Sequence, residues 1–335
     1  MKKSIYLTLF AMLAYLNLNA RVTLGNVRLE NVSQFEISES ITEMSTTAKI
    51  TIPKNYALKQ DVAILQQFKV GDKVTIKAGY DGDYQNEFIG YISEIDSDIP
   101  LIISCEDMYK LRQNNIVKSY PAGTKLKTVL HDIVPNDEKI TIECDDVTIG
   151  KYSIDNASTF AVLQDLSSNF GLYSRLQNGV LKVGLAYDYG ANTRTHEYVI
   201  GKNVKQNQLK YKRAEDVKIR FKAVATNPNG KKTTVIVGAK EKDASERTLN
   251  FAGPMSEEEL KKQASAALAK VRFDGYQGCI TGFGMPHTRA GDALLVKDEF
   301  EKDNEYREGS YLIESVTISY GNGGFSRENK LSYKI

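Results

Sequence analysis

Residues 70–95 read Val70-Gly71-Asp72-Lys73-Val74-Thr75-Ile76-Lys77 and, past a polar loop, Glu87-Phe88-Ile89-Gly90-Tyr91-Ile92-Ser93-Glu94-Ile95. From residue 290 the plan returns as Ala290-Gly291-Asp292-Ala293-Leu294-Leu295-Val296-Lys297, then Glu308-Gly309-Ser310-Tyr311-Leu312-Ile313-Glu314-Ser315-Val316. Each copy has a Gly-Asp turn, an apolar strand ending in Lys, a charged loop, and a strand opened by Gly and bearing Tyr. Gly-Asp supplies a turn geometry that other residues reach only under strain, and a surface loop between two strands is free to vary. Gly71 and Gly90 are nineteen residues apart, Gly291 and Gly309 eighteen. Gly71, Asp72, Gly90 and Tyr91, with Gly291, Asp292, Gly309 and Tyr311, are thus expected to be the turn positions of a duplicated β unit. The competing reading is that two hairpins share a common turn by chance.

The flanking sequence supports β structure on both sides. Short alternating runs cover Val22–Leu29, Phe35–Ile37, Ala48–Ile52, Val74–Ala78, Phe88–Ile95 and Leu101–Ser104, so residues 15–110 are expected to form a compact all-β unit. The period changes over 111–203. Leu126, Val129, Leu130 and Ile133 form an apolar helix face with Thr124 as its N-cap, and a strand follows at Ile140–Ile142. A second helix begins near Asn156 or Ser158, carries Phe160, Leu163, Leu166 and Phe170, and stops at Gly171. Leu172–Leu176 and Val180–Leu185 then make a hairpin about Gln177-Asn178-Gly179. From 204 to 335 strands return: Val217, Ile219, Phe221 and Ala223 alternate with charged residues, and Asn227-Pro228-Asn229-Gly230 turns the chain into Thr233–Val237. One inserted helix is expected, with Ser256 and Glu259 as capping box and Leu260, Ala264, Leu268 and Val271 on its buried face. Strands near Ala293–Val296 and Tyr311–Tyr320 and a turn at Asn322-Gly323-Gly324 lead to the last strand. The fold class is therefore mainly β with an α+β insertion: two related β-barrel domains flanking a small α/β module.

Composition excludes several classes. The 335 residues suit two or three domains, and 26% charged with 41% hydrophobic residues is ordinary globular usage. A net charge of +2 without basic runs argues against specific nucleic-acid binding. Lys2 and Lys3 precede an apolar stretch, Ile5–Leu16, with Ala20 at a cleavage-like position, which is the pattern of an export signal but too short to span a bilayer. The alternative assigns 1–14 to a leader or N-terminal arm, with Leu18, Ala20 and Val22 already in the first strand. Cys105, Cys144 and Cys279 lie far apart without CxxC spacing, so they are expected as buried or half-buried thiols rather than disulfides or zinc ligands.

No catalytic or metal-binding constellation emerges. His131, His196 and His287 have no second His or Cys at ligand spacing; His131 lies off the apolar face of its helix and His287 in a loop. Glu106-Asp107 and Asp145-Asp146 are acidic pairs of a kind used in glycoside cleavage, but adjacent acids in turns are expected to be solvated. No nucleophile elbow, P-loop or dinucleotide fingerprint occurs. The expectation is a non-enzyme without cofactor or metal.

The ordered set of Gly71-Asp72, Gly90-Tyr91, the helices beginning near Thr124 and Ser158, the Phe170-Gly171-Leu172-Tyr173 exit into Gly179-Val180-Leu181, Gly291-Asp292 and Gly309-Ser310-Tyr311 resembles the phage late-control D family. That family comprises hubs of contractile-phage baseplates and the hub-like N-terminal part of type VI secretion VgrG proteins. The resemblance spans about residue 15 to the end. It implies a homotrimer whose two β-barrel tube domains per chain form a pseudo-sixfold ring. Such a ring docks a tail tube protein on one side and a spike protein on the other, among other baseplate proteins. It also implies assembly in the host cytoplasm into a virion tail, without membrane insertion. The signal-like leader and the missing C-terminal spike extension depart from the pattern. Two alternatives stay open on the residues alone: a secreted or periplasmic β-rich binding protein, if the leader is a true signal, and a tail-borne cell-wall hydrolase.

Overall fold

A computed structural model describes residues 17–30, 32–53, 67–96, 100–135, 139–149, 151–170, 172–177, 179–185, 194–226, 231–252, 255–298 and 308–335. The 1–14 leader or arm, the helix stop at Gly171, Asn178 and the Asn227–Gly230 turn lie outside the described residues.

The first half comprises β1 (Leu18–Leu24), β2 (Val27–Glu30), β3 (Gln34–Ser40), β4 (Thr47–Ile52), β5 (Lys73–Tyr80), β6 (Asp83–Asp96) and β7 (Leu101–Glu106). Alternation decides which side of each strand is buried. In β4, Ala48, Ile50 and Ile52 point into the core while Thr47 and Lys49 face outward. The single run expected over Val22–Leu29 is instead the end of β1 and most of β2. Gly25 breaks it at φ +56°, where it donates its N–H to Lys73 O at 2.8 Å and a Cβ would meet Asp72 Oδ2 at 3.0 Å. Ala20 is buried in β1 opposite Ala78, so a cut after it would divide the strand.

The middle module runs through β8 (Ile116–Tyr120), β9 (Thr124–Lys125), α1 (Leu126–Ile133), β10 (Thr141–Cys144), β11 (Thr148–Ile149), β12 (Tyr152–Ala157), α2 (Thr159–Phe170), β13 (Leu172–Gln177) and β14 (Val180–Leu185). Its strands form three small sheets around a core of its own, with Leu126, Val129, Leu130 and Ile133 of α1 meeting Val162, Leu163 and Leu166 of α2. Thr124 is not the cap of α1. It sits in β9 and its hydroxyl donates to Pro121 O, while Lys125 takes the N-cap position without a side-chain capping bond to the helix. Ser158 does serve α2, accepting from Ala161 N at 3.2 Å.

The second half contains β15 (Thr195–Ile200), β16 (Val204–Lys212), β17 (Ile219–Thr226), β18 (Lys232–Gly238), β19 (Ser245–Ala252), α3 (Glu257–Val271), β20 (Gly275–Phe283), β21 (Ala293–Asp298), β22 (Gly309–Gly321) and β23 (Gly324–Lys334). Two expectations change here. β15, read from sequence as part of the middle module, pairs with β21 and so belongs to this half. The insertion is more than one helix: β17, β18 and β19 form a separate sheet, and α3 packs on it through Leu260, Ala264 and Ala267. The alternation at 219–225 is real, but its sheet partners are local. The Ser256–Glu259 capping box is formed in both directions.

A thirteen-stranded sheet runs β16-β20-β23-β22-β3-β4-β7-β6-β5-β1-β2, with β21 joined to β22 and β15 to β21. Two parallel series emerge from this order. β3-β4-β7-β6-β5-β1 in the first half corresponds to β16-β20-β23-β22-β21-β15 in the second. The series are joined where β22, beyond its pairing with β21, runs antiparallel to β3, Ser315–Tyr320 against Phe35–Ser40. They differ at the far end, where β1 meets β5 antiparallel and β15 meets β21 parallel. One core cluster serves both, from Ala20 to Leu331. Each of its large aliphatic side chains adds about 1.5–3 kcal/mol of burial.

Candidate assembly interface

The two Gly-Asp turns have the same geometry, bond for bond. Gly71 and Gly291 both adopt φ +88°. Gly71 N donates to Ile92 O and Ile92 N to Asp72 O at 2.8 and 2.9 Å; Gly291 N donates to Ile313 O and Ile313 N to Asp292 O, both at 2.8 Å. Each Asp closes its own turn: Lys69 N reaches Asp72 Oδ2 at 2.9 Å, and Arg289 N reaches Asp292 Oδ2 at 3.0 Å. Immediately after the bonded Ile, each strand carries a bulge, between Ile92 and Glu94 and between Ile313 and Ser315.

The other four residues read as turns lie in strands. Lys73 faces Tyr91 and Val74 faces Gly90, whereas Ala293 faces Leu312 and Leu294 faces Tyr311. Gly90 therefore occupies the position of Tyr311, and Gly309 that of Phe88. The sequence alignment slipped by two residues because both strands hold a Gly and a Tyr but in different phase. Gly90 is required by crowding, since a Cβ there would lie 2.8 Å from Glu106 O and 2.5 Å from the Phe88 ring. Tyr311 is buried, and its hydroxyl accepts from Tyr276 N at 3.0 Å. Tyr91 lies under the Lys110 ammonium, 5.4 Å from its ring centroid.

Beside the β22–β3 joint lies a cluster of buried charges. Glu39 of β3 accepts from Arg175 of β13 at 2.7 Å and from Arg289 at 3.0 Å. Glu87 of β6 accepts from Arg327 of β23 at 2.6 Å. Arg289 donates further to Glu87 O and Asn86 O, and Arg327 to Gly284 O. Burial opposes ionisation of Glu87, but His287 at 3.4 Å and the Arg327 and Arg289 charges outweigh it and hold its carboxyl below the usual range. The cluster ties the first half, the second half and the middle module to one another. Sequence reasoning missed these residues. Their signal is phase: Glu39 follows Phe35 and Ile37, and Arg327 sits between Phe325 and Asn329, each at an inward position of an alternating strand.

The residues weighed for chemistry have structural partners. Asp107 is buried rather than solvated; desolvation pushes its carboxyl up to about 7 although Ser45 Oγ and Thr46 N donate to it at 2.8 and 3.0 Å. Glu106 accepts from Arg112, and Asp146 from Lys125. His196 Nε2 lies 2.9 Å from Asp292 Oδ2, His287 borders the charge cluster, and His131 is exposed. Among the described residues no cluster of His, Cys, Asp or Glu is placed to hold a metal ion, and no helix is long and apolar enough to cross a membrane. Cys105 is buried and Cys144 and Cys279 are half-buried, all as free thiols.

The fold is that of phage tail proteins. A tail protein from Neisseria meningitidis matches with a TM-score of 0.63 at 15% identity, over 94% of this chain and 96% of that one. A prophage 43 kDa tail protein from Shewanella oneidensis matches with a TM-score of 0.61 at 16% identity, over 94% and 98%. An Escherichia coli type VI secretion component, described as structurally similar to the T4 tail proteins gp27 and gp5, matches with a TM-score of 0.58 at 9% identity, over 94% and 77%. No family model and no curated protein matches the sequence.

Proposed function

We propose that this chain is a structural hub of a contractile-tail baseplate or a related injection machine. Three copies form a ring of six similar β units. One face of that ring fits a sixfold tail tube protein and the other a threefold spike protein, within a larger baseplate and, in a phage, within the virion tail. The β units are 15–110 and the second half, extended back to include β15; the segment between them is a peripheral module. The matched turns at Gly71-Asp72 and Gly291-Asp292 carry this reading. A duplicated unit lets threefold symmetry imitate sixfold, and symmetry matching needs no catalysis, cofactor or bound metal. Buried ion pairs across the joint between the two units support it too, because they fix the relative setting that such a ring demands.

Native mass measurement at micromolar concentration, followed by pull-down with the tube and spike proteins of the same machine, tests the proposal. A trimer retaining both partners is expected. A stable monomer that binds neither contradicts it.

A further inference from the structure

We propose that the outer edge of β18 takes an extended segment of another protein as a fourth strand of the inserted sheet. The segment that fits is uncharged and β-branched in its middle and acidic at both ends. This surface lies outside the thirteen-stranded sheet and does not rest on the ring reading.

The edge is regular and lacks the devices that close an edge from within the strand. The inserted sheet has the order β18-β17-β19, and among the described strands β18 pairs with β17 alone. Its ladder runs from Lys232 opposite Thr226 to Gly238 opposite Arg220 without a bulge. Between those ends stand Thr233, Thr234, Val235, Ile236 and Val237, with no charge and no proline. Edge strands are usually kept from pairing by a charge, a proline or a bulge within them. Here the middle of the strand is made of β-branched residues, which favour pairing.

The backbone groups on that edge follow from the ladder. Ala239 N donates to Ile219 O at 3.0 Å, which puts the bonded pairs with β17 at Val237, Val235 and Thr233. The N–H and C=O of one residue share a side in an antiparallel strand and alternate along it, so those of Thr234 and Ile236 point to the outer edge. Both residues are exposed, Ile236 at 57%. The inner layer is unfinished as well. Val235 and Val237, with Leu268 and Val271 of α3, are only partly buried against Phe221, Leu260 and Ala264. A strand laid along β18 places alternate side chains beside Val235 and Val237 and covers them.

Charge selects the occupant. Lys232 opens the strand and Lys240 and Lys242 follow its end; all three are exposed, and none has an ion pair among the described residues. Glu241 sits between the last two, and Asp243 is held by Lys218, so that end stays net positive. Two β18 edges paired antiparallel over their full length would bring Lys232 of one copy toward Lys240 of the other, and like charges across a pair repel. An incoming strand with acids at both ends meets lysine at both ends instead.

Fluorescence anisotropy of a labelled synthetic peptide, alternating Thr and Val with a pair of Glu at each end, tests this on the full-length chain. Micromolar binding is expected, at least tenfold tighter than that of the same peptide flanked by Lys pairs. Ile236→Pro should weaken it at least tenfold, because the lost N–H faces the outer edge and β17 does not use it. Lys232→Glu with Lys240→Glu should reverse the preference between the two peptides. No binding by the wild-type chain, equal binding of both peptides, or binding that Ile236→Pro leaves unchanged overturns the proposal. Self-association that Ile236→Pro abolishes, with the peptide unbound, makes a second copy the occupant and overturns it too.

Discussion

Arg327 Nη2 donates to Glu87 Oε1 at 2.6 Å, and solvent reaches neither side chain. The bond links the last strand of the chain to β6, 240 residues earlier in sequence. Replacing Arg327 by Met leaves Glu87 buried with less compensation, at a cost of about 3–5 kcal/mol. Chemical denaturation should show that loss. Adding Glu87→Gln should recover part of it, whereas additive losses would mean that the two do not act as a pair.

Gly71 and Gly291 share φ +88°, so alanine at either should cost a similar amount, about 1 kcal/mol or more. Thermal unfolding of the two single variants checks this. Widely different losses would count against the equivalence of the turns.

Gly90 and Gly309, which the sequence pairs but the strand register does not, should behave differently. A Cβ at Gly90 meets the backbone oxygen of Glu106, which cannot move cheaply; at Gly309 it meets Lys334 Cε, the far end of a flexible side chain. Gly90→Ala should destabilise by about 1–3 kcal/mol, and Gly309→Ala by much less. Equal losses in denaturant titrations would argue against the register.

Asp107 sets a pH dependence. Its folded carboxyl titrates at about 7, above the unfolded value near ~4. Between those values the folded state holds a proton that the unfolded chain has lost, so this group favours folding as pH falls from 8 toward 5. Asp107→Asn keeps an oxygen for Ser45 and Thr46 and has no charge. It should flatten the difference in melting temperature between pH 5 and pH 8, and an unchanged difference would reject the buried carboxyl as its source.

Strand positions were legible where one face is apolar and the other charged, as in Ala48, Ile50 and Ile52 or Phe221 and Ala223. Helix α3 was legible because Ser256 and Glu259 mark its start locally. What the sequence concealed depends on distant partners. Gly25 reads as any strand glycine until Asp72 is packed against it. Nothing near Thr195–Ile200 says that its partner is β21, about a hundred residues on. The repeat was visible at its Gly-Asp turns, whose chemistry is local, and misaligned at Gly90 and Gly309, where only pairing sets the phase. Glu39 and Arg327 broke the apolar pattern at inward positions, and a charge in that phase is the signal to look for; Glu87 is buried out of phase with Phe88, at the β6 bulge, which only the pairing reveals.

Particle imaging of the purified full-length chain tests the central claim most directly. Threefold particles with six similar lobes around a channel are expected. Particles with a single pair of lobes would contradict the account.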